Sequence, residues 1–107
     1  MVIGFAMLGS LALRDGNAAG ATATASAAKT VDIRNFAFHP GTLKVKRGAR
    51  VAFANSSEVP HTATKAGSFD TKRIAPGESA VVRFGKRGTF AYHCKIHPFM
   101  KGKIVVE

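Results

Sequence analysis

Three side chains with metal-binding atoms lie close together in the last part of the 107-residue sequence. Cys94, His97 and Met100 are spaced Cys-x-x-His-x-x-Met, so that a thiol, an imidazole and a thioether lie within seven residues. A thioether is an unusual ligand for zinc, calcium or magnesium, whereas this set of soft donors suits copper. The spacing therefore predicts a copper site on one short loop.

A fourth ligand must come from another part of the chain. A copper site with one thiolate, two imidazoles and a weak axial methionine needs one more histidine than the loop supplies. His61 is the candidate, because it follows Pro60 in a loop after a predicted strand that ends at Asn55. We therefore predict four metal ligands, which are His61, Cys94, His97 and Met100.

The other histidines are not expected to bind the metal. His93 alternates with Cys94 along a predicted strand, so its side chain should point to the opposite face and form local hydrogen bonds. His39 begins a His-Pro-Gly turn and should be a solvated surface group.

Cys94 is the only cysteine of the sequence, which excludes an intrachain disulfide, a zinc ribbon and a dithiol redox site.

The elements that must position the ligands are expected to be short strands. From Lys29 onward, apolar-rich runs of about five residues are punctuated by Gly and Pro, and no helical period is present. Apolar and charged residues alternate in segments such as Leu43-Lys44-Val45-Lys46, as in strands packed on one face. Strands are predicted over residues 31–36, 42–45, 50–55, 79–84, 89–94 and 103–107. The pattern predicts an all-β domain, either a small sandwich or a barrel.

The first 27 residues differ in character from the rest of the chain. Residues 2–13 are nearly all apolar, and this run is shorter than the roughly 17 to 25 residues that span a bilayer. The run has the length of a signal-peptide hydrophobic region, and Ala25-Ser26-Ala27 supplies a cleavage pattern. We predict that residues 1–27 are a signal peptide and leader and that residues 28–107 are the copper-binding domain. A disordered tail and an uncleaved anchor are the alternatives.

The segment FAYHCKIHPFMKGKIVVE, residues 90–107, together with Asn55 and Pro60-His61, resembles the type 1 blue copper proteins, or cupredoxins. The resemblance implies a small Greek-key β-sandwich that holds one type 1 copper ion and cycles it between Cu(II) and Cu(I). It makes His61, Cys94 and His97 the equatorial ligands and Met100 the axial one. It also gives Asn55 the role of bracing the ligand loops.

Three positions depart from the pattern of this family. Lys95 stands where the family usually has Ser or Thr, which puts a side-chain hydrogen bond to Asn55 in question. Ile96 replaces the Pro that members with an equally short ligand loop have, and Phe53 stands near the position of a family Trp. We expect these changes to affect the tuning of the site rather than copper binding.

The basic charge of the chain bears on its partners. There are 16 Lys and Arg residues against 6 Asp and Glu residues, a formal net charge of +10, which favours an acidic partner, nucleic acid or an anionic membrane. The family resemblance favours redox partner proteins with an acidic docking surface, steered by residues such as Lys95, Lys101 and Lys103. We expect a monomeric electron carrier that is periplasmic or secreted, binds no nucleic acid, is not inserted in a membrane after cleavage, and is not an enzyme.

Four other functions are compatible with parts of the sequence. A copper carrier or storage protein would use the same ligands. A zinc protein would use His61, Cys94 and His97 with a water molecule, although Met100 argues against it. A basic β-barrel could bind nucleic acid, but no strand pair shows a cluster of aromatic and basic residues. A thiol enzyme is disfavoured, because no third group is evident to orient a base beside Cys94.

Overall fold

The structure is a computed structural model that describes the backbone of residues 27–107 and the side chains from Lys29 onward. The predicted signal peptide and leader, residues 1–27, lies outside the described residues except for Ala27. The described residues form strands that are numbered here in chain order: β1 Ala27–Arg34, β2 Ala37–His39, β3 Thr42–Val45, β4 Ala49–Asn55, β5 Thr64–Lys65, β6 Phe69–Asp70, β7 Ser79–Phe84, β8 Gly88–His93 and β9 Lys101–Val106. Within the described range, no helix is long and apolar enough to cross a bilayer.

The strands form two sheets, which confirms the prediction of an all-β sandwich. One sheet has the order β3-β9-β8-β5-β6, and the other has the order β2-β1-β4-β7. Two of the pairings are parallel: β9 lies beside β3, and β1 lies beside β4. β3 and β9 lie far apart in the sequence, and β1 and β4 are separated by the strands β2 and β3.

The core lies between the inner faces of the two sheets. β4 shows why these segments form strands, because Val51, Phe53 and Asn55 are buried while the residues between them are more exposed. This period of two is what a strand packed on one face requires. Tyr92 of β8 packs edge-on against Phe53, with ring centroids 5.4 Å apart, and joins the two sheets.

The strand directions create two distinct ends. β4 runs toward Asn55, β8 runs toward His93, and β9 starts at Lys101, so these residues share one end. We call it the ligand end. The other end carries the turn at residues 46–48 and the turn at residues 85–87, and we call it the turn end. A strand of seven residues rises about 3.3 Å per residue, so the two ends are separated by about 20 Å.

Several predicted strand limits were wrong. The strand predicted over residues 31–36 ends at Arg34, because Asn35 and Phe36 take left-handed conformations with φ of 52° and 55°. Such angles are rare for a bulky residue and turn the chain into β2, which was not predicted. The two-residue strands β5 and β6 were also missed, because two residues are too few for an alternating pattern to be recognised.

Candidate metal centre

The structure brings three of the predicted ligands together at the ligand end. The possible ligand atoms of His61, Cys94 and His97 all lie within 4.8 Å of one another. The Sγ atom of Cys94 is 3.8 Å from Nδ1 of His61 and 3.8 Å from Nδ1 of His97. His61 and Cys94 are fully buried, and His97 is half-buried.

These distances fit one shared metal ion. A metal ion with a sulfur ligand at about 2.3 Å and a nitrogen ligand at about 2.0 Å, roughly 120° apart, holds those two atoms about 3.8 Å apart. This is the separation found between Cys94 Sγ and each Nδ1 atom. Both sulfur–nitrogen separations therefore fit a metal ion shared by one sulfur and two nitrogen donors.

Met100 is held next to this cluster by backbone hydrogen bonds. The amide of Met100 donates to the carbonyl oxygen of His97 over 2.9 Å, and the amide of Cys94 donates to the carbonyl oxygen of Met100 over 3.1 Å. These bonds fold residues 94–100 into a compact loop between β8 and β9. Met100 is 2% exposed, so its thioether is buried at the same end of the sandwich.

His61 reaches the cluster from the loop that follows β4. It forms an isolated bridge with Ile74, in which each amide donates to the carbonyl oxygen of the other residue over 3.2 and 2.7 Å. The Nε2 atom of His61 lies 3.0 Å from Oγ of Ser57. When Nε2 donates its proton there, Nδ1 has a free lone pair that faces Cys94. Burial, and next the nearby His97, lower the pKa of His61, which favours the neutral ring that a metal requires.

Asn55 holds the His61 loop in place. Its side-chain amide donates to the carbonyl oxygens of Val59 over 2.8 Å and Ile74 over 2.9 Å. Its side-chain oxygen accepts from the amide of Ser57 over 2.9 Å and from the Ser57 hydroxyl over 2.6 Å. Asn55 therefore fixes Ser57, which in turn orients His61.

Thr62 connects the His61 loop to the cysteine loop. Its amide donates to Cys94 Sγ over 3.3 Å, and its hydroxyl accepts from the amide of Lys95 over 2.9 Å. The amide of His97 also donates to Cys94 Sγ, over 3.4 Å. Two amide donors thus stabilise negative charge on the sulfur. The role of Thr62 was not predicted from the sequence, because nothing local distinguishes a threonine that contacts residues more than thirty positions away.

The Lys95 side chain plays no part in bracing Asn55. Its ammonium group lies 3.1 Å from Oδ2 of Asp70 on the outside of the domain. The Asn55 bonds described above all go to its own loop and to Ile74. Lys95 nevertheless links the cysteine loop to the His61 loop, because its backbone amide donates to the Thr62 hydroxyl.

An aromatic ring that was not predicted to lie near the site covers the two histidines. Phe36 makes edge-on contacts with His97 and His61, with ring centroids 5.2 and 5.8 Å away. Phe36 is 48% exposed, Phe99 is 68% exposed and Ile96 is 39% exposed. Phe99 also lies near the His97 ring, with centroids 6.3 Å apart, and Ile96 directly precedes His97 in the chain. We call these three exposed side chains the apolar patch. Phe36 was missed because it had been placed in a strand, whereas its left-handed conformation turns it toward the ligands.

The other two histidines are not part of the cluster. His93 pairs with Thr64 at the junction of β8 and β5 and lines a surface pocket with Lys65 and Asp70. His39 is partly exposed, and its Nε2 atom lies 3.2 Å from the carbonyl oxygen of Arg34. Neither ring belongs to the group of His and Cys ligand atoms that lie within 4.8 Å of one another.

Known proteins resemble the chain over most of its length. A family model described as a cupredoxin-like domain matches residues 2–106. The amicyanin of Paracoccus denitrificans is 32% identical over 93 residues, which cover 81% of this chain and 71% of that protein. The amicyanin-alpha of Methylorubrum extorquens is 32% identical over 83 residues, 72% of this chain and 70% of that protein. A solved structure of a reduced Cu(I) form of an amicyanin variant has a TM-score of 0.69 and 32% identity, and the match covers 73% of this chain and 80% of that one. The chain belongs to the cupredoxin-like family.

Proposed function

We propose that the chain is a small blue copper electron carrier. It binds one copper ion through His61, Cys94, His97 and Met100 and cycles between Cu(II) and Cu(I) while moving electrons between redox partner proteins. The observation that carries this proposal is the 3.8 Å separation of Cys94 Sγ from each of the two Nδ1 atoms, which fits a copper ion held by these ligands. The relation to amicyanins supports it.

Copper supplies the one-electron chemistry, and the residues of this chain supply a site that changes little between oxidation states. Cys94 is held by two amide donors, and His61 is held by its bridge to Ile74 and its contact with Ser57. Because these ligands are attached to packed strands and loops, they resist rearrangement when the charge of the site changes. Full burial of Cys94 keeps water away from the sulfur.

His97 provides the route to the surface. It is the half-buried member of the cluster, and the apolar patch lies next to it. A partner that covers Phe36, Ile96 and Phe99 would come close to the His97 ring without penetrating the domain. A patch of three exposed side chains suits the small, short-lived contacts of redox proteins. Acidic groups on such a partner would be attracted by the basic charge of the chain, as in the sequence-based prediction.

The proposal includes the location and state of the protein. Residues 1–27 act as an export signal and leader, and residues 28–107 act as a monomeric domain in the periplasm or outside the cell. The support is the length of the apolar run at residues 2–13 and the Ala-Ser-Ala cleavage pattern. Processing can be tested by determining the N-terminal residue of the protein after expression with its own leader.

An absorption spectrum after addition of Cu(II) tests the main proposal. We expect a strong thiolate-to-copper band at about 600 nm, as in trigonal copper–thiolate sites. Cys94→Ser and His61→Ala should each abolish this band, and His93→Ala is the matched control that should keep it. Absence of the band in the parent protein would contradict the proposal.

A second measurement separates electron transfer from copper transport. An electron carrier should show rapid and reversible one-electron exchange and should retain Cu(I) in the presence of a chelator. Ready loss of Cu(I) to the chelator would instead support the alternative, a copper carrier or storage protein. Metal analysis of the purified protein would identify zinc, if zinc were the native metal.

A further inference from the structure

The positive charge of the domain is concentrated at the turn end, away from the candidate copper site. Seven exposed basic residues lie on the two turns and the adjoining strand ends: Lys29, Lys46, Arg47, Arg50, Arg83, Lys86 and Arg87. We call this set the basic pole. Among the described residues, one acidic residue, Glu107, lies beside these seven basic residues.

The two turns of the basic pole form one continuous surface. The amide of Gly48 in the first turn donates to the carbonyl oxygen of Phe84, directly before the second turn, over 2.7 Å. The Arg83 guanidinium lies against both turns. Its nitrogen atoms are 3.5 Å from where a Cβ atom would stand on Gly48 and 2.8 Å from where one would stand on Gly85. The basic side chains of both turns are therefore held side by side at one blunt end of the sandwich.

The ligand end has a different charge balance. Six basic residues are there with four acidic residues: Arg34, Lys65, Lys72, Arg73, Lys95 and Lys101 with Asp32, Glu58, Asp70 and Glu78. The ion pairs found among the described residues are all at this end, between Arg34 and Asp32 and between Asp70 and two lysines. The net charge of these groups is 6 − 4 = +2 around the ligands and 7 − 1 = +6 at the basic pole.

We propose that the basic pole binds the surface of an anionic phospholipid bilayer. Clustered Lys and Arg side chains are attracted to anionic headgroups, and the attraction acts within about one Debye length of the surface. The chain also enters the domain at this pole, because Ala27 at the start of β1 pairs with Arg50. Until the leader is removed, the apolar run at residues 2–13 is therefore connected to the domain on the side that carries the charge.

This orientation leaves the other end of the domain free. With the basic pole on the membrane, the apolar patch around His97 points away from the bilayer, about 20 Å from the contact. Nucleic acid is less favoured as the partner. The aromatic side chains next to the pole, Phe84 and Phe90, are buried or half-buried and offer no exposed ring on which a base could stack.

Vesicle binding by the copper-loaded protein tests the proposal, both for the full chain and for the chain that starts at Ala28. One set of vesicles contains phosphatidylglycerol and phosphatidylcholine, and the other contains phosphatidylcholine alone. Binding should be stronger to the anionic vesicles and should weaken as the salt concentration rises. The difference between the two lipids isolates the effect of charge from any binding by the apolar run.

Two variants with the same loss of charge locate the contact. One replaces Lys46, Arg47, Lys86 and Arg87 with Gln, and the control replaces Lys65, Lys72, Arg73 and Lys101 with Gln. Because each basic residue near an anionic surface contributes about fivefold to binding, the loss of four should make the pole variant bind about 600-fold more weakly. The control should lose less than about tenfold, and retention of the 600 nm band shows that both variants are folded.

Three results would overturn the proposal. The first is an equal loss of vesicle binding in both variants, and the second is equal binding of the parent protein to the two kinds of vesicle. The third is tighter binding to duplex DNA than to anionic vesicles at the same salt concentration, which would assign the basic pole to nucleic acid. None of these results affects the copper proposal, since the spectrum is measured without lipid.

Discussion

Replacing Asn55 with Ala should weaken both the fold and the copper site. The Asn55 side chain is 1% exposed and makes four hydrogen bonds, two donated to the Val59 and Ile74 carbonyls and two accepted from Ser57. Asn55→Ala removes all four and leaves the buried carbonyl oxygen of Ile74 without this donor. Ser57 also loses the contact that orients it toward His61.

The expected cost in stability can be worked out from these bonds. A hydrogen bond contributes about 1 kcal/mol net, so the four bonds together contribute up to about 4 kcal/mol. The carbonyl oxygen of Ile74 keeps the hydrogen bond from the His61 amide. Val59 and Ser57 are half-buried, so water can replace part of what they lose. The free energy of unfolding should therefore fall by about 2 to 4 kcal/mol, which is a large part of the about 5 to 15 kcal/mol typical of a domain. The melting temperature should fall by at least about 10 °C.

Two measurements on the Asn55→Ala variant check this prediction. Urea unfolding of the metal-free protein gives the loss of stability, and a competitive titration gives the affinity for Cu(II). Loss of a group that orients a ligand typically lowers metal affinity by about 10- to 100-fold. Ser56→Ala is the control, because the Ser56 hydroxyl bonds to Asp32 on the exposed side of the domain. A loss below about 1 kcal/mol, or an unchanged copper affinity, would refute the assigned role of Asn55.

Three further predictions concern other parts of the domain. Gly102→Ala should cost about 2 to 3 kcal/mol in thermal unfolding, because its Cβ would overlap the buried Tyr92 ring; an unchanged melting temperature would contradict this packing. Phe36→Ala should change global stability by less than about 1 kcal/mol, since the ring is half-exposed, but should speed the loss of Cu(I) to a chelator severalfold, because the ring shields His97. The pKa of Asp70 is lowered to about 2, first by the amide of Lys72 and then by hydrogen bonds from Lys95 and Thr64. The ionised form is therefore favoured in the folded state, and its contribution is present above pH 4 and lost as the pH falls toward 2. Asp70→Asn should destabilise the metal-free protein by about 1 kcal/mol at pH 7 and hardly at pH 2, and an equal cost at both values in urea unfolding would show that charge is not the cause.

The ligand loop was the part of the molecule most easily predicted from the sequence. Cys94, His97 and Met100 are close in the chain, so their spacing alone constrains where they lie. His61 is distant in sequence, and it could be identified because the copper hypothesis required a second imidazole. The all-β class followed from short apolar runs between turns and from alternation in β3 and β7, where one face is more buried than the other.

The features that were missed depend on contacts across the chain. Phe36 lies over the ligands because two left-handed residues end β1 early, and local sequence patterns gave no sign of this turn. Thr62 acts through atoms of Cys94 and Lys95 that are distant in sequence. The total charge of +10 was known from the composition, but its concentration at one end requires the strand register.

The parallel pairing of β9 with β3 has a consequence for the order of folding. Residues of these strands pair across about sixty positions of the chain, from Thr42 to Lys103, and contacts at such separation form slowly. The loop of residues 94–100 is closed when β9, the last strand of the chain, pairs with β8. During synthesis, His61 therefore waits for its partner ligands until nearly the whole domain has been made. A chain that crosses a membrane in an extended state would have no assembled site on the way, so copper would be acquired at the destination rather than carried there.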